Sequence, residues 1–113
     1  MIYKPFDLFA RLYEEAQIYD NMDLFIAERG WQEWMNEYAD EEIAAILKTA
    51  YKLSRMTFAE LKEFSGLSMP KLAGKLGVSS STLEKWVFEK VTPSPHEKKF
   101  IAYVLFGDEL NRK

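Results

Sequence analysis

Cysteine is absent from the 113 residues, and histidine occurs once, at His96. Without cysteine there are no disulfides and no thiolate metal sites, and a reducing compartment is permitted. A metal would have to be held by carboxylates alone, and no EF-hand, HExxH or CxxC spacing is present. Glycine-rich phosphate loops are missing as well. No apolar run approaches the roughly 20 residues that span a bilayer. The opening stretch MIYKPFDLFARLYEE has one early lysine and soon turns acidic, so it does not read as a secretion signal. His96 stands beside Pro95 with no serine in a nucleophile motif nearby. The adjacent pairs Glu14-Glu15 and Glu41-Glu42 would point to different sides of a helix. The expectation is a cytoplasmic, non-membrane protein that is not an enzyme, with no catalytic residue, no metal and no cofactor.

Period-2 alternation is also lacking over any useful length, so no strand is expected. What is present is a hydrophobic fraction of 48% with 15% aromatics, enough to bury a real core. Helical spacing recurs. Pro5 suits the first turn of a helix to about Tyr19, with Phe6, Phe9, Leu12, Tyr13 and Ala16 on one face. Asp20-Asn21 reads as a break, and Met22 to Arg29 as a short helix stopped by Gly30. Trp31, Trp34, Met35 and Tyr38 follow at i, i+3, i+4 and i+7, an aromatic stripe that reads most simply as core. Asp40 is the expected cap of a helix with Ile43, Ile46, Leu47, Ala50, Tyr51 and Leu53 on its apolar face. Capping boxes at Thr57/Glu60 and Ser94/Glu97 mark two later starts. The last helix, from Pro95, presents Phe100, Ile101, Val104 and Leu105, and Gly107 is expected to end it.

The stretch from Gly66 to Ser94, GLSMPKLAGKLGVSSSTLEKWVFEKVTPS, carries the most information. Ser68 can cap a helix through Leu76, and Gly77 supplies the positive φ of a sharp turn. Val78 is expected to plug the core, and Ser79 to cap a second helix running toward Lys90. Leu72, Ala73, Leu76, Val78, Leu83 and Trp86 fit two helices pressed together. Ser80, Ser81, Glu84 and Lys85 are left for the exposed face.

Leu67-Ser68, Leu72-Ala73, Leu76-Gly77-Val78-Ser79, Thr82-Leu83, Trp86 and Pro93 stand at the spacing of the lambda-repressor-like (Cro/cI-type) helix-turn-helix family, which the chain resembles from about Thr57 to Phe106. The resemblance implies double-stranded DNA as partner, a homodimer, and a role as a transcriptional repressor that acts on its own operon. By the same resemblance the base-facing positions fall on Ser80, Ser81, Glu84 and Lys85. Phosphate contacts fall on Ser79 and Thr82, on the start of the preceding helix (Met69, Lys71) and on the loop after the reading helix (Lys90). Lysine can donate to guanine O6 and N7, whereas serine discriminates poorly. Lys75, Lys98 and Lys99 could add to the salt-dependent phosphate term. The sequence departs from the family pattern at three points. Met69 stands where glutamine is common, and Val87 where a glutamate pairs with a cation at the position of Lys62. Glu89 stands where a glycine usually closes the reading helix.

The formal net charge of −3 hides an asymmetry. Up to Ile46 there are three basic and eleven acidic residues; from Leu47 onward there are twelve basic and seven acidic. The basic excess is thus confined to the half that resembles a DNA reader. The expected organisation is all-α. An acidic helical extension, 1–56, would serve dimerisation or partner binding, followed by the helix-turn-helix domain, 57–106, and a tail, 107–113. An alternative reading makes the protein an antitoxin or inhibitor whose acidic half neutralises a protein partner. In a third, the helix-turn-helix is only a packing scaffold.

Overall fold

In the computed structural model, the described residues are 6–111 apart from Glu89 and Thr92. Among them the chain is all-helical: seven α-helices and one 3-10 segment, with no strand. By its contacts it divides into two compact units, one of residues up to Arg55 and from Phe106 onward, the other Met56–Leu105.

The first unit is built on α1 (Phe6–Ala16), α2 (Met22–Arg29) and α3 (Asp40–Ser54), with α1 and α2 both packed on α3. The predicted spacing holds on α1, where Phe9, Leu12, Tyr13 and Ala16 are buried and Phe6 is half-buried. Pro5, the expected first-turn residue, lies outside the described residues. The helix ends three residues earlier than Tyr19. The Gln17, Ile18 and Tyr19 amides turn back to the carbonyls of Glu14, Glu15 and Ala16, and Arg55 donates to the Ala16 carbonyl at 2.9 Å. These bonds satisfy carbonyls that a helix end leaves open.

Asn21 caps α2, its Oδ1 accepting from the Leu24 amide at 2.7 Å, and Gly30 leaves the helix at φ +61°. Arg29 ties this corner together. It pairs with Glu15, donates to the Tyr19 hydroxyl at 3.0 Å and places its guanidinium 4.8 Å from the Phe25 ring centre. On α3 all six predicted apolar residues are buried. Its cap differs from expectation: Ala39 holds the cap position, and the Glu42 carboxylate accepts the Ala39 amide at 2.9 Å. Asp40, Glu41 and Glu42 then fill the first turn, where the helix dipole favours negative charge.

The second unit holds α4 (Phe58–Ser65), α5 (Met69–Leu76), α6 (Ser80–Val87) and the start of α7 (Pro95–Asn111). Both predicted capping boxes form. Thr57 and Glu60 exchange bonds of 3.2 and 2.9 Å, and Ser94 and Glu97 two of 3.1 Å. Helices α4, α5 and α6 pack pairwise over Leu61, Leu72, Ala73, Leu83 and Trp86, with the Phe58 and Trp86 rings 5.5 Å apart. Fully burying a side chain such as Leu61 or Leu83 contributes about 1.5–3 kcal/mol.

Gly107 does not end α7. The helix continues to Asn111 with Leu110 buried, and Phe106 meets Phe9 at a ring distance of 4.7 Å within the first unit. Gly107 is not among the glycines with positive φ, so it marks no helix stop. A glycine inside a helix costs roughly 0.5–1 kcal/mol, less than burying Phe106 and Leu110 returns. Arg112 and Lys113, the rest of the expected tail, lie outside the described residues.

Candidate functional site

The residues singled out by sequence gather on α5, α6, the turn between them and, for Lys90, just beyond the end of α6. Helix α5 begins after Ser68, whose backbone is extended at the cap position but whose side chain makes no capping bond. Pro70 sits in its first turn, where a missing N–H costs nothing. Gly77 closes it in the left-handed region at φ +73°. Its amide is satisfied by the Ala73 and Gly74 carbonyls, and the Val78 amide by Ala73 at 3.1 Å. Val78 is half-buried rather than a core plug. With Leu76, Trp86, Phe100 and Ile101 it walls a small apolar groove of about 220 Å³ that has His96 and Glu97 at its polar edge.

Ser79 caps α6 as expected. Its Oγ accepts the Thr82 amide at 3.1 Å and donates to the Thr82 hydroxyl at 2.9 Å. Leu83 and Trp86 face inward, while Ser81, Glu84 and Lys85 are exposed. Positions i, i+3 and i+4 share one helix face, so these three form a single stripe. Ser80 and Thr82 are half-buried beside it. Of the proposed phosphate contacts, Ser79, Lys71 and Lys90 are exposed, and Met69 is half-buried. The structure thus collects these nine residues in one unit, Met56–Leu105, although the Met69 side chain has no hydrogen-bond donor for a phosphate.

Sequence spacing had run α6 toward Lys90, but it stops at Val87. The Lys85 carbonyl accepts both the Lys90 amide at 2.8 Å and the Val91 amide at 3.3 Å, which closes the end without glycine. Glu89, where the family glycine would stand, lies outside the described residues. Phe88, which with Val87 reads from the sequence as an unusual pair on a DNA-facing edge and a contact surface for a second protein, stands at the end of the stripe. It lies four positions after Glu84 and seven after Ser81, holds the C-cap position of α6 with its amide bonded to the Glu84 carbonyl, and is 64% exposed. The signal was available in the i, i+3, i+4, i+7 series, which continues through position 88. Val87 and Lys62, at the positions of the family's ion pair, are both half-buried.

No three His, Asp or Glu side chains converge as a possible metal site among the described residues. No described helix is long and apolar enough to cross a membrane. Comparison with protein families, with curated proteins and with solved structures finds no match to this chain.

Proposed function

We propose that this chain is a sequence-specific DNA-binding protein of the helix-turn-helix type that works as a dimeric transcriptional regulator. One observation carries the reading. Two eight-residue helices follow one another through a turn opened by Gly77 at positive φ, and the second buries Leu83 and Trp86 while exposing Ser81, Glu84 and Lys85. A helix held from behind in this way and polar in front suits insertion into a major groove.

In this account α6 lies in the groove along its exposed stripe. Lys85 donates to guanine O6 and N7, Glu84 accepts from cytosine N4, and Ser81 bonds without strong preference. Phe88, at the end of the stripe, suits apolar contact with a thymine methyl. Lys71 and Lys90 neutralise phosphates, and the Thr82 hydroxyl donates to one. Each good base contact is worth about 1–3 kcal/mol, so a single copy that relies on Ser81, Glu84 and Lys85 discriminates weakly. A dimer on two half-sites doubles that contribution, and half-sites one turn apart are separated by roughly 34–36 Å.

The test is selection from a random duplex library with the purified chain. The expected result is enrichment of a palindrome whose half-sites are spaced by whole helical turns. A folded, helical protein that enriches no sequence at low salt would overturn the reading.

A further inference from the structure

The first unit contains an open groove of about 830 Å³, lined by Arg11, Glu15, Gln32, Glu33, Trp34 and Glu37 together with Asn36. Its aromatic wall is fixed in place. The Trp34 indole donates to Gln32 Oε1 at 2.7 Å, and the Trp31 indole donates to Asn36 Oδ1 at 2.8 Å. Met35, the residue after Trp34, is buried and anchors the 3-10 segment Glu33–Glu37, whose Trp34 ring lies 6.2 Å from that of Tyr38. With its indole N–H already bonded, what the half-buried Trp34 offers the groove is its ring face; Trp31, 65% exposed, stands outside the groove's lining.

The groove's charge is not evenly balanced. Glu15 is committed to Arg29, which leaves Glu33 and Glu37 exposed against Arg11 among the described lining residues. Asp40, Glu41 and Glu42 follow directly along the chain. The Tyr38 phenol registers this field: burial, then Glu37 and Glu42, raise its pKa above the usual value. Such a surface repels phosphates, and it lacks the convergent ligands of a metal site among the described residues. A volume near 830 Å³ exceeds what one side chain fills and lies within the range of ligand clefts.

We propose that this groove docks a basic segment of another protein, with arginine or lysine side chains laid on the Trp34 face and paired with Glu33 and Glu37. The guanidinium or ammonium gains both from the ring quadrupole and from the carboxylates. Arg11 serves the segment's backbone carbonyls. The inference is independent of DNA reading by α6, and either can fail alone.

The test uses the full chain and a fluorescein-labelled arginine–glycine repeat peptide, followed by anisotropy at physiological ionic strength, with a glutamate–glycine peptide as control. Glu33→Gln with Glu37→Gln, both at exposed positions, should weaken binding about tenfold, as expected for the loss of two exposed charge pairs. Trp34→Leu removes no charge and should weaken it about threefold. Quenching of the native tryptophan fluorescence by unlabelled peptide gives the same aromatic readout should Trp34→Leu lower helicity. Absence of binding would overturn the proposal. So would binding that responds to the charge variant but neither to Trp34→Leu nor in tryptophan fluorescence, which is diffuse attraction only. Self-association of the chain that the double glutamine variant abolishes would assign the groove to a second copy, and would also overturn it.

Discussion

Tyr13 is 4% exposed, and burial raises its phenol pKa above the ordinary 10.0. The folded state therefore holds the phenol proton more tightly than the unfolded chain does. The stability this contributes is fully present below about pH 10 and is lost as pH rises through the higher folded pKa. Urea unfolding from about pH 9 to pH 11 should show the native chain losing stability relative to Tyr13→Phe, whose own curve lacks this contribution. Parallel curves for the two would mean that burial does not act on Tyr13 in this way. At the same scale the sequence was less informative about tryptophan. Trp31, Trp34 and Met35 share helical spacing, yet only Met35 is buried and Trp31 is largely exposed. Helical spacing does not distinguish a core stripe from a 3-10 segment. The side-chain bonds from Trp34 to Gln32 and from Trp31 to Asn36 that stabilise the exposed arrangement have no periodic signature.

At the scale of elements, several caps and glycines were legible, though not the Asp40 and Ser68 caps or the Gly107 stop. Thr57/Glu60, Ser94/Glu97, Ser79, Gly30 and Gly77 act locally, within three or four residues, and sequence reads local chemistry well. The six apolar residues of α3 were equally clear because a wide buried face repeats over 15 residues. Helix ends decided by distant partners were not. Arg55 bonding Ala16 and the ring contact between Phe9 and Phe106 set the extents of α1 and α7 through residues far along the chain. For the candidate site, the positions on α6 were readable from capping and burial, whereas the closure of α6 by the Lys85 carbonyl was not. Gly77 gives the sharpest element-level test. A methyl group added there would meet nothing within 4 Å, so the cost of Gly77→Ala is that of the backbone at φ +73°. The expected loss is about 1 kcal/mol in urea unfolding. An unchanged midpoint would show that the α5–α6 turn does not require that conformation.

Over the whole molecule, charge is the property that composition alone conceals. An acidic pI near 5.2 coexists with a basic excess from Leu47 onward, where the candidate DNA contacts lie, while the acidic excess up to Ile46 accompanies the tryptophan groove. Two halves of opposite sign suit two partners of opposite charge. The central claim, that α6 reads DNA through Ser81 and Lys85, is tested most directly by titrating a selected duplex with the native chain and with Ser81→Ala/Lys85→Ala across a salt series. The account predicts steep loss of native affinity with salt, with a slope of about −0.9 per neutralised phosphate, and loss of sequence preference in the double variant at unchanged helicity. Equal affinity of both proteins for the selected duplex would contradict it.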